Sequence, residues 1–135
     1  MSVVVLPDIE KLVIDWALAT PQVAGQFGGT RIYSALPENP AVPAARVVRF
    51  GGFPPQRLHW LDQASMQIDV WGGPKATARL AAATFAACLS NSLVGPHPLG
   101  VVTAVEVAGP RWEPDGSYTP ARPRYVVQAS IWFHP

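Results

Sequence analysis

The residues best placed to do chemistry are Gly72-Gly73-Pro74-Lys75-Ala76-Thr77. They follow a strand pattern and open a helix pattern, the setting in which backbone N–H groups and the helix dipole attract phosphate. A phosphate-binding loop of the nucleotide-hydrolase type needs lysine directly after its last glycine, with another glycine upstream. Here Pro74 intervenes and removes a backbone donor, and the upstream glycine is missing. The stretch therefore reads as a glycine turn and a helix start. Phosphate or nucleotide binding by a small α+β domain is the alternative from a different functional class.

Other candidates dissolve in the same way. His59, His97 and His134 lack the spacing of a metal pair, sit in or beside proline-containing segments and read as solvated loop residues. Cys88 falls in an apolar helix pattern without nearby positive charge, so it reads as a small core residue. No serine lies in a G-x-S-x-G turn, and Ser90-Asn91-Ser92 looks like a helix end. Asp62 and Asp69 are an odd number of residues apart in one strand, so they face opposite ways and form no carboxylate dyad. Glu113 and Asp115 share a loop in which Asp115-Gly116 signals a turn. Arg46 and Arg49 also face opposite ways; Arg122 and Arg124 can share a face but make no basic stripe. The expectation is no catalytic residue, no cofactor and no metal.

Two long loops remain, 51–60 and 109–123. Loops of that length in a small domain are usually functional or mobile. They carry Phe53, Arg57 and Trp60, then Arg111, Trp112 and Tyr118, the residue types that anchor protein interfaces. These six are the interface candidates; the competing reading is that Trp60 and Trp112 pack on the domain's own sheet.

The elements that position them follow from periodicity. Residues 7–19 repeat Ile9, Leu12, Val13, Trp16 and Ala17 at helical spacing, and Pro21 ends that helix. Gly25, Gly28 and Gly29 make a turn, Arg31–Leu36 a short strand, and 37–45, with three prolines, a stiff loop. Arg46–Phe50 is a second strand. Leu61–Trp71 alternates strictly, with Ala64, Met66, Ile68 and Val70 on one side and Ser65, Gln67 and Asp69 on the other, as a half-buried antiparallel strand does. Residues 75–91 form a helix charged only at Lys75 and Arg79, apolar or small all round, which should be covered on most sides. Gly95–Gly100 is a loop. Gly100–Ala108 is a strand with Val101, Thr103, Val105 and Val107 on one face, and Tyr125–Phe133 closes the chain as its hairpin partner. The fold class is α+β: a mostly antiparallel sheet of about five strands with two helices packed on it, in the order α-β-β-β-α-β-β.

Length and charge bound the rest. A chain of 135 residues is expected to form one domain, 1–135, burying roughly two-thirds of its unfolded surface without disulfide or metal. One cysteine excludes a disulfide framework. A net charge of +1 argues against tight nucleic-acid binding. Charged residues make up 14%, against roughly 25% in ordinary soluble domains, so part of the surface is expected to lie against a partner. The start lacks a basic n-region and a long apolar run, and the uncharged stretch 80–105 is broken by polar residues, glycines and prolines. A soluble protein made in a cytoplasm is expected, with no membrane contact. Eight of the ten basic residues are arginine, a pattern of high-GC genomes.

The layout resembles a known family. LPDIEKLVIDWALA leads into RIYSALP; VVRFGG, LDQASMQIDVWG and PKATARLAAATFAACL follow; VEVAGPRWEPDGS and PRYVVQASIWF close the chain. Together these look like the tail terminator, or tail-completion, proteins of long-tailed bacteriophages, especially those of actinobacteria. The most specific pieces are the D-V-W-G strand end running into an alanine-rich helix and the final P-R-Y strand. The resemblance implies a small α+β subunit of a homo-oligomeric ring, commonly a hexamer, in the virion neck, assembled in the host cytoplasm. Such a ring caps the tail tube, ends tail polymerisation and offers a surface to the head-completion protein, while DNA passes through without tight binding. It implies no enzymatic activity. The neighbouring role in the same neck, a head-completion or stopper protein, is the close alternative. The family is recognised by pattern and not by a fixed site, so no residue role is transferred.

Overall fold

The alternating stretch before the glycine turn becomes the middle of a six-stranded sheet. The computed structural model describes residues 5–52 and 60–135. Its strands are β1 (Ile32–Tyr33), β2 (Ala44–Gly51), β3 (Asp62–Trp71), β4 (Gly95–His97), β5 (Gly100–Trp112) and β6 (Arg124–His134). They lie in the order β1-β2-β3-β6-β5-β4, and every neighbouring pair is antiparallel except β1 with β2. The helices are α1 (Ile9–Ala19), α2 (Pro21–Ala24) and α3 (Lys75–Ser92). The α+β class holds, with six strands rather than five and three helices rather than two among the described residues.

Helix α1 starts at Ile9 because Asp8 caps it, its carboxylate accepting from the N–H of Lys11 at 3.1 Å. Its buried residues are the five that the spacing picks out. Thr20 leaves the helical region ahead of Pro21, as expected. Proline then does more than stop α1: at the first position of α2 its fixed φ suits a new turn, which buries Val23 and Ala24. A 3-10 turn (Gly25–Phe27) follows, and Phe27 meets Phe85 of α3 edge-on at 6.1 Å.

The uniform face of β3 holds: Ala64, Met66, Ile68 and Val70 are fully buried, as are Val127, Ile131 and Phe133 of β6, with Tyr125 and Ala129 nearly so. Three expectations change. The first strand shrinks to two residues because the proline loop carries the chain away, and it runs parallel to β2. The expected loop 95–100 contains β4, a three-residue strand folded back on the start of β5. The face assigned to β5 is broken: a bulge between Val102 and Ala104 resets the alternation. Val102 therefore enters the core before the bulge, and Val105 and Val107 pack on it after.

All the helices cover one face of the sheet. Helix α3 presses Ala78, Ala81, Ala82, Phe85, Ala86 and Leu89 against it, the small residues permitting close approach. The connection from β3 requires glycine, since a Cβ on Gly72 would lie 2.7 Å from the backbone nitrogen of Ala78. The expectation that α3 is covered on most sides is met in part: the sheet, α2 and the Phe27 turn cover it, and its outer side is bare among the described residues. Leu80 is 58% exposed, and Ala76 and Ala87 are exposed too. The opposite face of the sheet, with Val48, Ser65, Gln67, Gln128, Ser130 and Trp132, carries no helix among the described residues and is half-buried.

Candidate interaction surfaces

The described flanks of the first loop, Gly51–Gly52 and Trp60, and the segment 109–123 lie at opposite ends of the sheet. Asp62 pairs with Phe133 at one end of β3 and Trp71 with Arg124 at the other. Ten residues of strand separate them, about 30 Å.

At the Trp71 end, β5 runs on to Trp112 through a second bulge at Gly109–Pro110. Gly109 has φ +100°, and a Cβ there would sit 2.8 Å from the carbonyl oxygen of Val126. Asp115 and Arg122 then pair across the remaining loop, so the segment 109–123 is far less open than its composition implies. Trp71 is buried between the guanidinium groups of Arg46 (5.4 Å) and Arg124 (5.9 Å). Its indole N–H donates to Asp115 Oδ2 at 2.8 Å. The hydroxyl and N–H of Ser117 donate to Asp115 Oδ1 at 2.7 and 3.0 Å. Burial pushes the Asp115 carboxyl up; the Ser117 bonds, the Trp71 bond and the charge of Arg124 outweigh it and hold the group below the usual carboxylate range.

Each of the three candidates of this segment has its own partner. Trp112 is 39% exposed, packs on Tyr125 at 5.2 Å and carries the Lys75 ammonium over its ring at 4.3 Å. Arg111 bonds Glu113 at 2.6 Å, and Tyr118 stacks under Arg122 at 3.9 Å. Trp112 thus rests on its own sheet and under Lys75, with part of its ring exposed. Sequence reasoning does not single out Trp71 or Asp115 as site residues. The D-V-W-G strand end was the available signal for the first. For the second, the turn reading of Asp115-Gly116 is sound but omits a partner 44 residues away.

At the opposite end, Trp60 is 49% exposed and meets the His134 ring edge-on at 5.6 Å. Phe53 and Arg57, with His59, lie outside the described residues. Arg49 grips Asp62 through two bonds of 2.8 and 2.9 Å, while Arg46 holds Asp69 at 2.6 Å. The odd spacing that sends these arginines to opposite faces also sends Asp62 and Asp69 there, so each arginine meets one carboxylate. Among the described candidates, Trp60 lies apart from Arg111, Trp112 and Tyr118.

The remaining chemical candidates have structural partners. Lys75 is engaged by Trp112, and Pro74 stands at the cap of α3. His97 Nε2 lies 2.7 Å from the carbonyl oxygen of Leu93. Cys88 is half-buried against the core. An apolar groove of about 260 Å³ runs between Leu12, Trp16 and Ala19 of α1 and the turn His97–Leu99. A second hollow, about 270 Å³, lies on the uncovered sheet face between Phe50 and Glu106. Among the described residues no helix is long and apolar enough to cross a membrane.

No family model matches the chain, and no curated protein matches it. Among solved structures it is similar to a chain of the virion of a native gene transfer agent particle. The TM-score is 0.66 at 16% identity, over 94% of this chain and 95% of that one. At that identity the likeness is one of fold: the α+β arrangement described above is shared over nearly the whole length of both chains.

Proposed function

We propose that this protein is a structural component of a virion, and within it a tail terminator: a ring-forming subunit that caps the tail tube and presents a joining surface to the head side. The observation that carries the virion role is the shared fold with a virion chain along almost the entire length of both. The terminator role is supported by the sequence resemblance and by the separation of the two loop clusters. A subunit of such a ring must touch one layer below and another above, and surfaces about 30 Å apart on a rigid sheet suit that task. The near-neutral charge suits a ring through which DNA slides, because many phosphate contacts would hold it. The proposed role is passive and uses no catalytic residue or cofactor; the six interface candidates are proposed as tube and head contacts.

Two measurements test this. Electron microscopy of tubes built from the associated tail-tube protein should show this protein at one tube end, with further growth stopped. Deletion of the gene should give overlong tails. Free tails of normal length would instead assign the stopper role, and a protein that never associates with tubes would remove the terminator reading. The phosphate-binding alternative predicts a thermal shift with a nucleotide panel that is lost in Lys75→Ala.

A further inference from the structure

The net charge of the chain is only +1, but it is divided unevenly between the two ends of the sheet. Cations gather at the Trp112 end. Lys75 stands over the Trp112 ring, and Arg79 follows it one turn along α3. Arg111 lies near the end of β5, Arg122 pairs across the loop, and Arg124 opens β6. Two carboxylates, Glu113 and Asp115, stand against these five cations. The neighbouring Arg46–Asp69 pair cancels itself. The Trp60 end has the opposite sign. There, among the described residues, Asp8, Glu10, Asp15 and Asp62 outnumber Lys11 and Arg49.

Much of the positive charge is uncompensated. Among the described residues Lys75, Arg79 and Arg122 join no ion pair. Lys75, Arg79 and Arg111 are exposed. Several of the cations are also held in place. Arg124 donates to the carbonyl of Glu113 at 2.8 Å and lies beside the Trp71 ring. Arg122 lies over the Tyr118 ring at 3.9 Å, and Lys75 over Trp112 at 4.3 Å. Side chains that are already ordered lose less freedom when a partner arrives.

We propose that the Trp112 rim docks on a protein surface rich in Asp and Glu, presented by the adjoining ring of the neck. The inference rests on the ring reading above and names the chemistry of one of its partners. Charge complementarity selects that chemistry, since arginine and carboxylate match in geometry as well as in sign. A single exposed ion pair adds little, but one set per subunit repeats around a ring, and linked contacts reinforce one another. Two features favour protein over DNA. Glu113 and Asp115 stand among the cations, where they repel a continuous phosphate backbone. The rings that could stack bases, Trp112 and Tyr118, already carry cations.

The test is a pull-down titration of the full chain on tail tubes and on head-side particles, from about 50 to about 500 mM salt. Capture on one of the two should fall at least tenfold over that range. Lys75→Glu/Arg79→Glu should bind that same partner at least tenfold more weakly at low salt. It should keep its circular dichroism, because both side chains are exposed and an acid suits the start of a helix. Lys11→Glu, a reversal at the other end, should bind that partner as the parent does. Capture that ignores salt, or a doubly reversed variant that binds like the parent, overturns the acidic partner and leaves the terminator reading standing. Salt-sensitive, rim-dependent capture on head-side particles with no tube binding does the reverse. Capture on neither removes both. Binding of a random DNA duplex that the double reversal abolishes, with capture on tubes and particles unchanged, assigns the rim to DNA and overturns the protein partner.

Discussion

Asp115 does more than shape its turn, because three donors converge on it. Its folded pKa lies below its unfolded value of about 4. The sign follows: the stabilisation is fully present above about pH 4 and is lost as pH falls through the folded value. Denaturant unfolding at a series of pH values should show that acid loss, and Asp115→Asn should flatten it. Asp115→Ala leaves the buried Trp71 N–H without its acceptor and should cost about 1–3 kcal/mol at neutral pH. The Arg49–Asp62 pair behaves differently. Breaking a fully buried pair costs about 3–5 kcal/mol. Arg49 keeps the carbonyls of Gly51 and Gln63 and some access to water, so Asp62→Ala should cost less, about 1–3 kcal/mol, read from the same unfolding curves.

At the level of elements, α3 depends on close approach. Gly72→Ala puts a methyl group into the backbone of Ala78 and should destabilise by about 1–3 kcal/mol. Phe85, fully buried against Phe27 and Trp16, should cost about 3–5 kcal/mol when cut to alanine. Thermal melts of both variants check this. The elements with a clean period were the legible ones. The five apolar positions of α1 and the alternations of β3 and β6 name their own buried faces, since burial on one side imposes that period. What stayed hidden depends on partners far along the chain. Three residues, Gly95–His97, make a strand only because β5 returns beside them. The bulge at Thr103 reverses the parity of β5 without a glycine or proline to announce it. The candidate surface divides likewise: residue type alone nominates Trp60, Arg111, Trp112 and Tyr118, whereas the bond from Trp71 to Asp115 requires the sheet to bring both ends together.

For the whole molecule, a single-sided α+β sheet carries apolar and weakly charged surface in three places: the uncovered sheet face, the outer side of α3 and the edge of β5. That distribution suits a subunit packed among others more than a solitary globule. If the proposed role is right, Trp112→Ala should lower the melting temperature only modestly, because its ring is partly exposed, while weakening capture on tube or head-side particles at least tenfold in a pull-down titration.

β3 is clamped close to both its ends, by Arg49 on Asp62 and by Arg46 on Asp69, and it is walled in by β2 and β6. Such a strut cannot shorten or slide, so the molecule carries its own gauge. Anything resting on the Trp60 rim and the Trp112 rim is held apart by a length counted in residues. Lengthening the gauge by two residues per strand would move the rims about 7 Å further apart with every side chain still on its own face, whereas a single added residue would turn the core outward.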